Sequence, residues 1–242
     1  MNRIAVSLCA LGILTGVTGC KYEPPAYTIC LLDISKSITP EGRDYEFKVT
    51  DNLVDGMRRG DRLTIIPIMG DAMSDTPGHI VRLEAPVRRE PYDHDLLLFR
   101  EQAHGQLHAM RESAMAHPAV RTDILGTLDV AKQEFEADSG ARSKRFLHIF
   151  SDFIEDDGAY HFSRDAALTS DAKAWNLAKS LRKERDFTLG GVYSRLDNLP
   201  SIDFPNLPPQ RQQAVRAFWK EYLRSINPSV VAEAQISGKP PR

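Results

Sequence analysis

The chain has little cysteine and no clustered basic charge, and both shortages narrow what it can do. Three cysteines in 242 residues are too few for the disulfide framework that holds small exported domains together. The 31 lysine and arginine residues are matched by 33 aspartate and glutamate residues, and they form no basic stripe. Because nucleic-acid binding depends on clustered lysine and arginine against phosphate, the sequence predicts no nucleic-acid partner.

The chain also lacks the common nucleotide-binding and hydrolase motifs. It contains no Walker loop, no G-x-G-x-x-G and no G-x-S-x-G. With 42% hydrophobic residues it can still bury a large core, most simply as one domain with tails. Its function must therefore be sought in other residues.

The N-terminal segment has the order of a bacterial export signal. Arg3 gives it a positive start, and the apolar run Ile4 to Leu14 is too short to span a bilayer. The following Val17-Thr18-Gly19-Cys20 resembles a lipoprotein lipobox, which implies cleavage before Cys20 and lipidation of its thiol. We therefore predict a signal peptide over residues 1–19 and a lipidated tether over residues 20–25. The alternative is a buried N-terminal helix with an incidental cysteine.

Lipidation at Cys20 would place the protein on a membrane without a spanning helix. Several acyl chains suffice, because each buried methylene contributes roughly 0.8 kcal/mol. Lys21 stands where an aspartate would favour inner-membrane retention in enteric-type bacteria. The sequence thus predicts a lipid-anchored protein of the bacterial cell envelope and favours the outer membrane. Cys30, within an apolar run, is predicted to be a small core residue.

Lipidation can be tested directly by replacing the acceptor thiol. We expect Cys20→Ser to leave an unprocessed precursor that incorporates no palmitate analogue, because the thiol is where the lipid is attached. Metabolic labelling and gel mobility measure both effects, and Cys30→Ala is the matched control that should still mature and label. A Cys20→Ser protein that matures and labels like the wild type would contradict the lipoprotein interpretation.

Apolar strands and amphipathic helices alternate along the rest of the chain. Strands are predicted from short apolar or alternating runs, and helices from apolar side chains at helical spacing. The predicted strands are Ala26–Leu32, Arg62–Ile68, His79–Glu84, Arg145–Phe150 and Phe187–Tyr193, and the predicted helices are Pro40–Arg58, Asp95–Ala116, one after Thr122, Ala172–Glu184 and one around Val215–Ile226. This order predicts an α/β fold in a single domain over residues 26–226: an open, mostly parallel, doubly wound sheet with helices on both faces. Residues 227–242 are predicted to form a flexible C-terminal tail.

Oxygen-bearing side chains follow two of the predicted buried strands. Asp33 comes directly after the first strand, and Ser35 and Ser37 follow it on alternate residues, just before a capped helix start. Asp152 follows the strand Arg145–Phe150. Because ligands of such sheets bind beyond the carboxyl ends of the strands, we expect these side chains to meet there. Carboxylate and hydroxyl oxygens suit a hard cation such as Mg²⁺, Mn²⁺ or Ca²⁺.

These residues resemble the metal-ion-dependent adhesion site of the von Willebrand factor A (vWA) family. Asp33-Ile34-Ser35-Lys36-Ser37 is similar to the family's Asp-x-Ser-x-Ser loop, and the resemblance extends over Tyr27–Ile226. Thr122 stands where the family places its metal-site threonine, and Asp152 resembles the aspartate of its Thr-Asp-Gly turn.

The resemblance implies a metal site with a defined set of ligands. They are Asp33, Ser35, Ser37, Thr122 and Asp152. The implied ion is a divalent cation, most simply Mg²⁺, with Mn²⁺ or Ca²⁺ as alternatives. The resemblance also implies that the cation keeps one position open for an acidic side chain of a partner protein.

Some positions depart from the family pattern. Phe153 replaces the glycine that usually follows the aspartate, and Arg121 precedes Thr122 where a glycine is common. The family's last strand has a single candidate, Ser201 to Phe204. Thr122 also fits a plain helix N-cap, and the acidic residues Glu155 to Asp157 fit a solvated turn.

Three functions are compatible with these residues. The lipobox and the vWA resemblance together imply a lipoprotein whose vWA-like domain binds a partner protein through a divalent cation, and we predict that it is not an enzyme. A metal-free structural or accessory envelope lipoprotein is the first alternative, and Phe153 and Arg121 favour it. A phosphatase of the haloacid-dehalogenase type is the second, but its general acid should stand two residues after Asp33, where Ser35 is found.

Overall fold

The computed structural model describes residues 24–88, 93–138, 143–185 and 188–227. The predicted signal peptide, the predicted lipidation site Cys20 and the predicted tail from residue 228 onwards lie outside these ranges. Within them, no helix combines the length and the hydrophobicity that crossing a membrane requires.

Five strands in the described part of the chain form one sheet, in the order β3-β2-β1-β4-β5. They are β1 Ala26–Asp33, β2 Arg62–Ile68, β3 Val81–Glu84, β4 Lys144–Ser151 and β5 Val192–Asn198. β1 pairs in parallel with β2 and β4, and β4 pairs in parallel with β5, whereas β3 runs antiparallel to β2 at the edge. β1 is therefore a central strand, as expected of an apolar run without alternation.

α-Helices lie between most of these strands and after the last one. They are α1 Pro40–Gly56, α2 His94–Ala116, α3 Ile124–Ala137, α4 Asp171–Arg185, the short α5 Asp203–Asn206 and α6 Pro209–Ile226. Short 3₁₀ helices lie at Pro77–His79 and Ala166–Thr169.

The sheet is covered on both faces. On one face, Cys30 and Leu32 of β1 share a core with buried residues of α1 and α2. On the other face, Ile29 and Leu31 share a core with buried residues of α3, α4 and α6. Alternate residues of one strand thus serve two separate cores, which is why the strand is apolar throughout. The predicted fold class is confirmed.

Helix α6 supplies a large part of the second core. Its buried residues follow the predicted helical spacing: Ala214, Val215, Phe218, Trp219, Tyr222, Leu223 and Ile226. Trp219 has no exposed surface, and its ring centre lies 5.1 Å from that of Phe218 and 5.8 Å from that of Phe153. Asn227, which the sequence assigned to the tail, is only 2% exposed, and its side-chain amide donates to the Val192 carbonyl. Asn227 therefore packs against the domain.

Two predictions for the C-terminal half are wrong. The fifth strand is Val192–Asn198 rather than Phe187–Tyr193. The apolar pattern did not reveal its position, because β5 is an edge strand in which only Val192 and Leu196 are buried apolar residues. Ser201 to Phe204 is not a strand, since Ser201 forms a single bridge and α5 begins at Asp203.

Candidate metal centre

The turn between β1 and α1 is held at both ends. Strand β1 ends at Asp33, whose side chain is fully buried. The side chain of Thr39 accepts a hydrogen bond from the N–H of Gly42 at 3.2 Å, and α1 begins at Pro40, so the predicted helix start is confirmed. Residues 34–39 therefore form a short turn at the carboxyl end of a central strand, where ligands of parallel sheets bind.

Oxygen atoms of three predicted ligands form a chain across this turn. Ser35 Oγ and Ser37 Oγ are 2.9 Å apart, and Ser37 Oγ donates a hydrogen bond to Asp152 Oδ2 at 3.2 Å. Neighbouring ligands of an octahedral Mg²⁺, each about 2.0–2.1 Å from the ion, are about 3 Å apart. The observed separations are thus suited to adjacent ligands of one small, hard cation.

Asp33 joins the same group through hydrogen bonds at both of its carboxylate oxygens. Oδ1 accepts one from the N–H of Ser35 at 3.1 Å, and Oδ2 accepts one from the Ser151 hydroxyl at 2.6 Å. Ser151 lies beside Asp33 because β1 and β4 pair in parallel. The structure therefore brings together four of the five predicted ligands, namely Asp33, Ser35, Ser37 and Asp152.

The fifth predicted ligand, Thr122, makes different contacts. It is buried, and its backbone pairs with Asp156 through N–H···O distances of 3.2 and 2.8 Å. Within the described ranges, no hydrogen bond joins its hydroxyl to the four clustered side chains. The N-cap of α3 is Asp123, whose Oδ1 accepts from the N–H of Gly126 at 2.6 Å, so Thr122 is not the cap. Its role as a metal ligand stays a prediction.

Burial raises the pKa values of both clustered acids, and repulsion from Asp33 adds to the rise at Asp152. Asp33 and Asp152 are 0% and 1% exposed. Burial raises the pKa of Asp33, while hydrogen bonds from Ser151 and Ser35 oppose the rise. Burial, and then the charge of Asp33, raises the pKa of Asp152 to about 7. A cation between these acids would favour their ionised forms, because an opposite charge stabilises a carboxylate.

Neither a protein-family model nor a curated protein matches the sequence. Among solved structures, the chain is similar to the SpRpn10 VWA domain, with 12% sequence identity and a TM-score of 0.38 over 80% of this chain and 82% of that one. It is also similar to a von Willebrand factor type A protein from Catenulispora acidiphila, with 12% identity and a TM-score of 0.39 over 84% of this chain. The chain spans 43% of that second protein.

The fold is vWA-like. The mostly parallel sheet, its helices on both faces and the Asp-x-Ser-x-Ser turn directly after the central strand β1 are the features that the resemblance implied.

Other residues of the vWA-like domain surround the site and were not identified from the sequence. The Ser201 hydroxyl hydrogen-bonds Asp152. Arg43 donates to the Ser35 carbonyl at 2.7 Å, and burial and then the charge of Asp33 raise the pKa of the Glu46 carboxyl. Arg43 and Glu46 carry no sequence signal, because charged residues on a helix are normally assigned to its solvent face.

Phe153, the main departure from the vWA pattern, retains a backbone conformation that suits glycine. Its φ is 64°, in the left-handed region that glycine enters without steric cost. Its ring is buried against Trp219, whose Nε1–H donates to the Phe153 carbonyl at 2.8 Å. The N–H of Ile154 still donates to Asp152 Oδ1 at 3.0 Å. The larger side chain therefore fills the core and leaves the turn around Asp152 intact.

Proposed function

We propose that the chain is a membrane-anchored lipoprotein, and not an enzyme, whose vWA-like domain binds a partner protein through a divalent cation. The ligands of the cation would be Asp33, Ser35, Ser37 and Asp152, with Thr122 as a further ligand. Mg²⁺ is the expected ion, with Mn²⁺ or Ca²⁺ as alternatives. The observation that supports this most directly is a row of three oxygens next to the buried Asp33. Ser35 Oγ lies 2.9 Å from Ser37 Oγ, which lies 3.2 Å from Oδ2 of the buried Asp152.

The set of ligands leaves room for a group from outside the chain. Mg²⁺ takes about six oxygen ligands, and the four clustered side chains supply four if each binds through one atom. The remaining positions can hold water or a carboxylate of the partner, since hard cations favour carboxylate oxygens. Lys36, exposed in the same turn, adds a positive charge that favours an acidic partner.

Exposed apolar side chains border the same turn. Ile202 is 60% exposed, and its N–H donates to the Ser37 carbonyl at 2.8 Å. Val120 is 75% exposed and follows Ala119, whose carbonyl accepts a hydrogen bond from the N–H of Lys36. Protein interfaces combine apolar side chains with polar groups around them. Ile202 and Val120 therefore favour a protein over a small acidic molecule as the partner.

The metal site can be tested by thermal unfolding of the full-length chain, purified in detergent. Mg²⁺ or Mn²⁺ is expected to raise the melting temperature relative to chelator. A cation that binds only the folded state adds about 2.7 kcal/mol at a hundredfold excess over its Kd. Asp33→Ala should lose most of the gain from Mg²⁺ and stay folded. Asp55→Ala, which removes an exposed carboxylate near the other end of α1, should keep the gain.

The partner class can be tested with peptides displayed on phage. The full-length chain, immobilised in Mg²⁺, is expected to enrich peptides that contain Asp or Glu. The enrichment should disappear with chelator and on Asp33→Ala.

Equal melting curves with cation and chelator would favour the metal-free envelope lipoprotein. If Mg²⁺ raises the melting temperature but the same peptides are enriched in chelator, the cation site stands and only partner binding through the cation is contradicted.

A further inference from the structure

A second group of acidic side chains lies apart from the four clustered ligands. Asp123, Glu155 and Asp157 each present an oxygen, and these oxygens lie within 4.8 Å of one another. All three residues are direct neighbours, in sequence, of Thr122 or Asp156, which pair through two backbone hydrogen bonds. The group therefore lies where the start of α3 meets the segment after β4.

The sequence suggested that Glu155 to Asp157 form a solvated turn, but Glu155 is buried in the structure. Its side chain has no exposed surface. One oxygen, Oε2, accepts hydrogen bonds from the N–H groups of Ile124 and Leu125 at 3.2 Å each. The other oxygen, Oε1, is buried and has no hydrogen-bond partner among the described residues. A buried carboxylate oxygen without a partner is costly, so a cation that contacts this atom would stabilise the ionised carboxylate.

The two aspartates are oriented by backbone N–H groups. Asp123 accepts from Gly126 through Oδ1 and from Ala72 through Oδ2, at 2.6 and 3.0 Å. Asp157 Oδ1 accepts from the N–H groups of Ala159 and Tyr160 at 2.8 and 2.7 Å. Each carboxylate oxygen can accept more than one bond, so both aspartates keep capacity for a cation.

The local charge also favours a cation. Three carboxylates are close together, whereas of the cationic side chains nearby Arg185 donates to Asp129 at 2.9 Å and the guanidinium of Arg121 lies beside Gly158. All of the available ligand atoms are oxygens, which selects a hard ion. Ligands of Ca²⁺ lie about 2.3–2.6 Å from the ion in a flexible arrangement, so oxygens up to about 5 Å apart can share one Ca²⁺. The separation observed here meets this condition.

We propose that Asp123, Glu155 and Asp157 form a second cation site, which takes Ca²⁺ in preference to Mg²⁺. Its ion links the start of α3 to the segment after β4. Thr122 precedes one of its ligands, and Asp152 lies three residues before another. The second site therefore holds together the two segments that carry Thr122 and Asp152. This inference stands independently of the proposed function.

The test is a calorimetric titration with CaCl₂ alone. It uses the full-length chain in detergent after removal of metal, with Asp33→Ala as the background so that only the second site is counted. This background is expected to bind one Ca²⁺ per chain. Addition of Asp157→Asn should abolish binding, although asparagine can still accept from Ala159 and Tyr160.

The matched control is the adjacent carboxylate, Asp156, which contacts His161. Asp33→Ala with Asp156→Asn should still bind one Ca²⁺. If Asp157→Asn does not give the near-ultraviolet circular dichroism of the folded protein, Glu155→Gln replaces it, because glutamine can still accept from Ile124 and Leu125. Glu155→Gln should also abolish binding.

Three outcomes would overturn the second site. They are no Ca²⁺ bound by Asp33→Ala, one Ca²⁺ still bound after Asp157→Asn or Glu155→Gln, and loss of binding with Asp156→Asn. If instead the site at Asp33 binds no cation, the result is different, since the wild type and Asp33→Ala would then both bind one Ca²⁺ per chain.

Discussion

Trp219→Ala is expected to lower the free energy of unfolding by roughly 3 to 5 kcal/mol, the usual cost of truncating a buried tryptophan. The side chain has no exposed surface and lies against the rings of Phe153, Phe162, Phe218 and Tyr222. Its indole N–H also donates to a backbone carbonyl, which the variant leaves without a partner. Urea unfolding of the full-length chain, followed by far-ultraviolet circular dichroism, measures the loss.

The matched control for this variant is the other tryptophan of the chain, Trp175. It is 47% exposed on α4, so Trp175→Ala should change the free energy of unfolding by about 0.5 kcal/mol or less. If Trp219→Ala costs less than about 1 kcal/mol, helix α6 is not docked on the sheet as described.

Asp152→Asn is expected to stabilise the protein when no cation is present. The folded state raises the pKa of Asp152 from 3.8 to about 7, and a shift of that size is worth about 4 kcal/mol. Asparagine avoids the charge, can still accept from the N–H of Ile154 and can donate to Ser37. In chelator at roughly pH 8, the variant should therefore unfold at a higher urea concentration than the wild type.

The sign of the pH dependence follows from the raised pKa of Asp152. Below the unfolded value of 3.8 the carboxyl is protonated in both states, and the wild type loses stability as the pH rises from there to about 7. The advantage of Asp152→Asn should therefore shrink by about 2 kcal/mol between roughly pH 8 and roughly pH 5.5. Saturating Mg²⁺ should also reduce the stability advantage of Asp152→Asn, because the ion stabilises the wild type more than the variant.

Measurement of both proteins in chelator and in Mg²⁺ separates these effects. If Asp152→Asn in chelator at roughly pH 8 is no more stable than the wild type, the Asp152 carboxylate is not under electrostatic strain. A gain from Mg²⁺ that is equal in both proteins would show that Asp152 is not a ligand.

The features that the sequence predicts well are those that short-range patterns determine. β1 is recognisable because an apolar run without alternation serves two faces, and the start of α1 because Thr39 and Pro40 suit a helix N-terminus. Asp33 and Asp152 were expected to meet because both follow buried parallel strands. This expectation needs only the topology of the sheet, and not the details of packing.

The features that the sequence does not predict depend on distant contacts. Glu46 and Glu155 are among the most buried acids, yet each lies in a local pattern typical of solvated charge. Ser151 contacts Asp33 only through the register between β1 and β4. β5 was misplaced because an edge strand with few buried apolar residues gives a weak pattern.

The hydrogen bond from Trp219 to the Phe153 carbonyl has a consequence for the order in which the candidate site is completed during folding. It joins the last helix to the peptide directly after Asp152, across 66 residues of chain. Asp33, Thr122 and Asp152 all precede α6 in the chain. The turn around Asp152 gains this support only when α6 docks, so a chain that carries every predicted ligand but lacks a docked α6 would have an incomplete candidate site. Cation binding would then report that the last helix has folded.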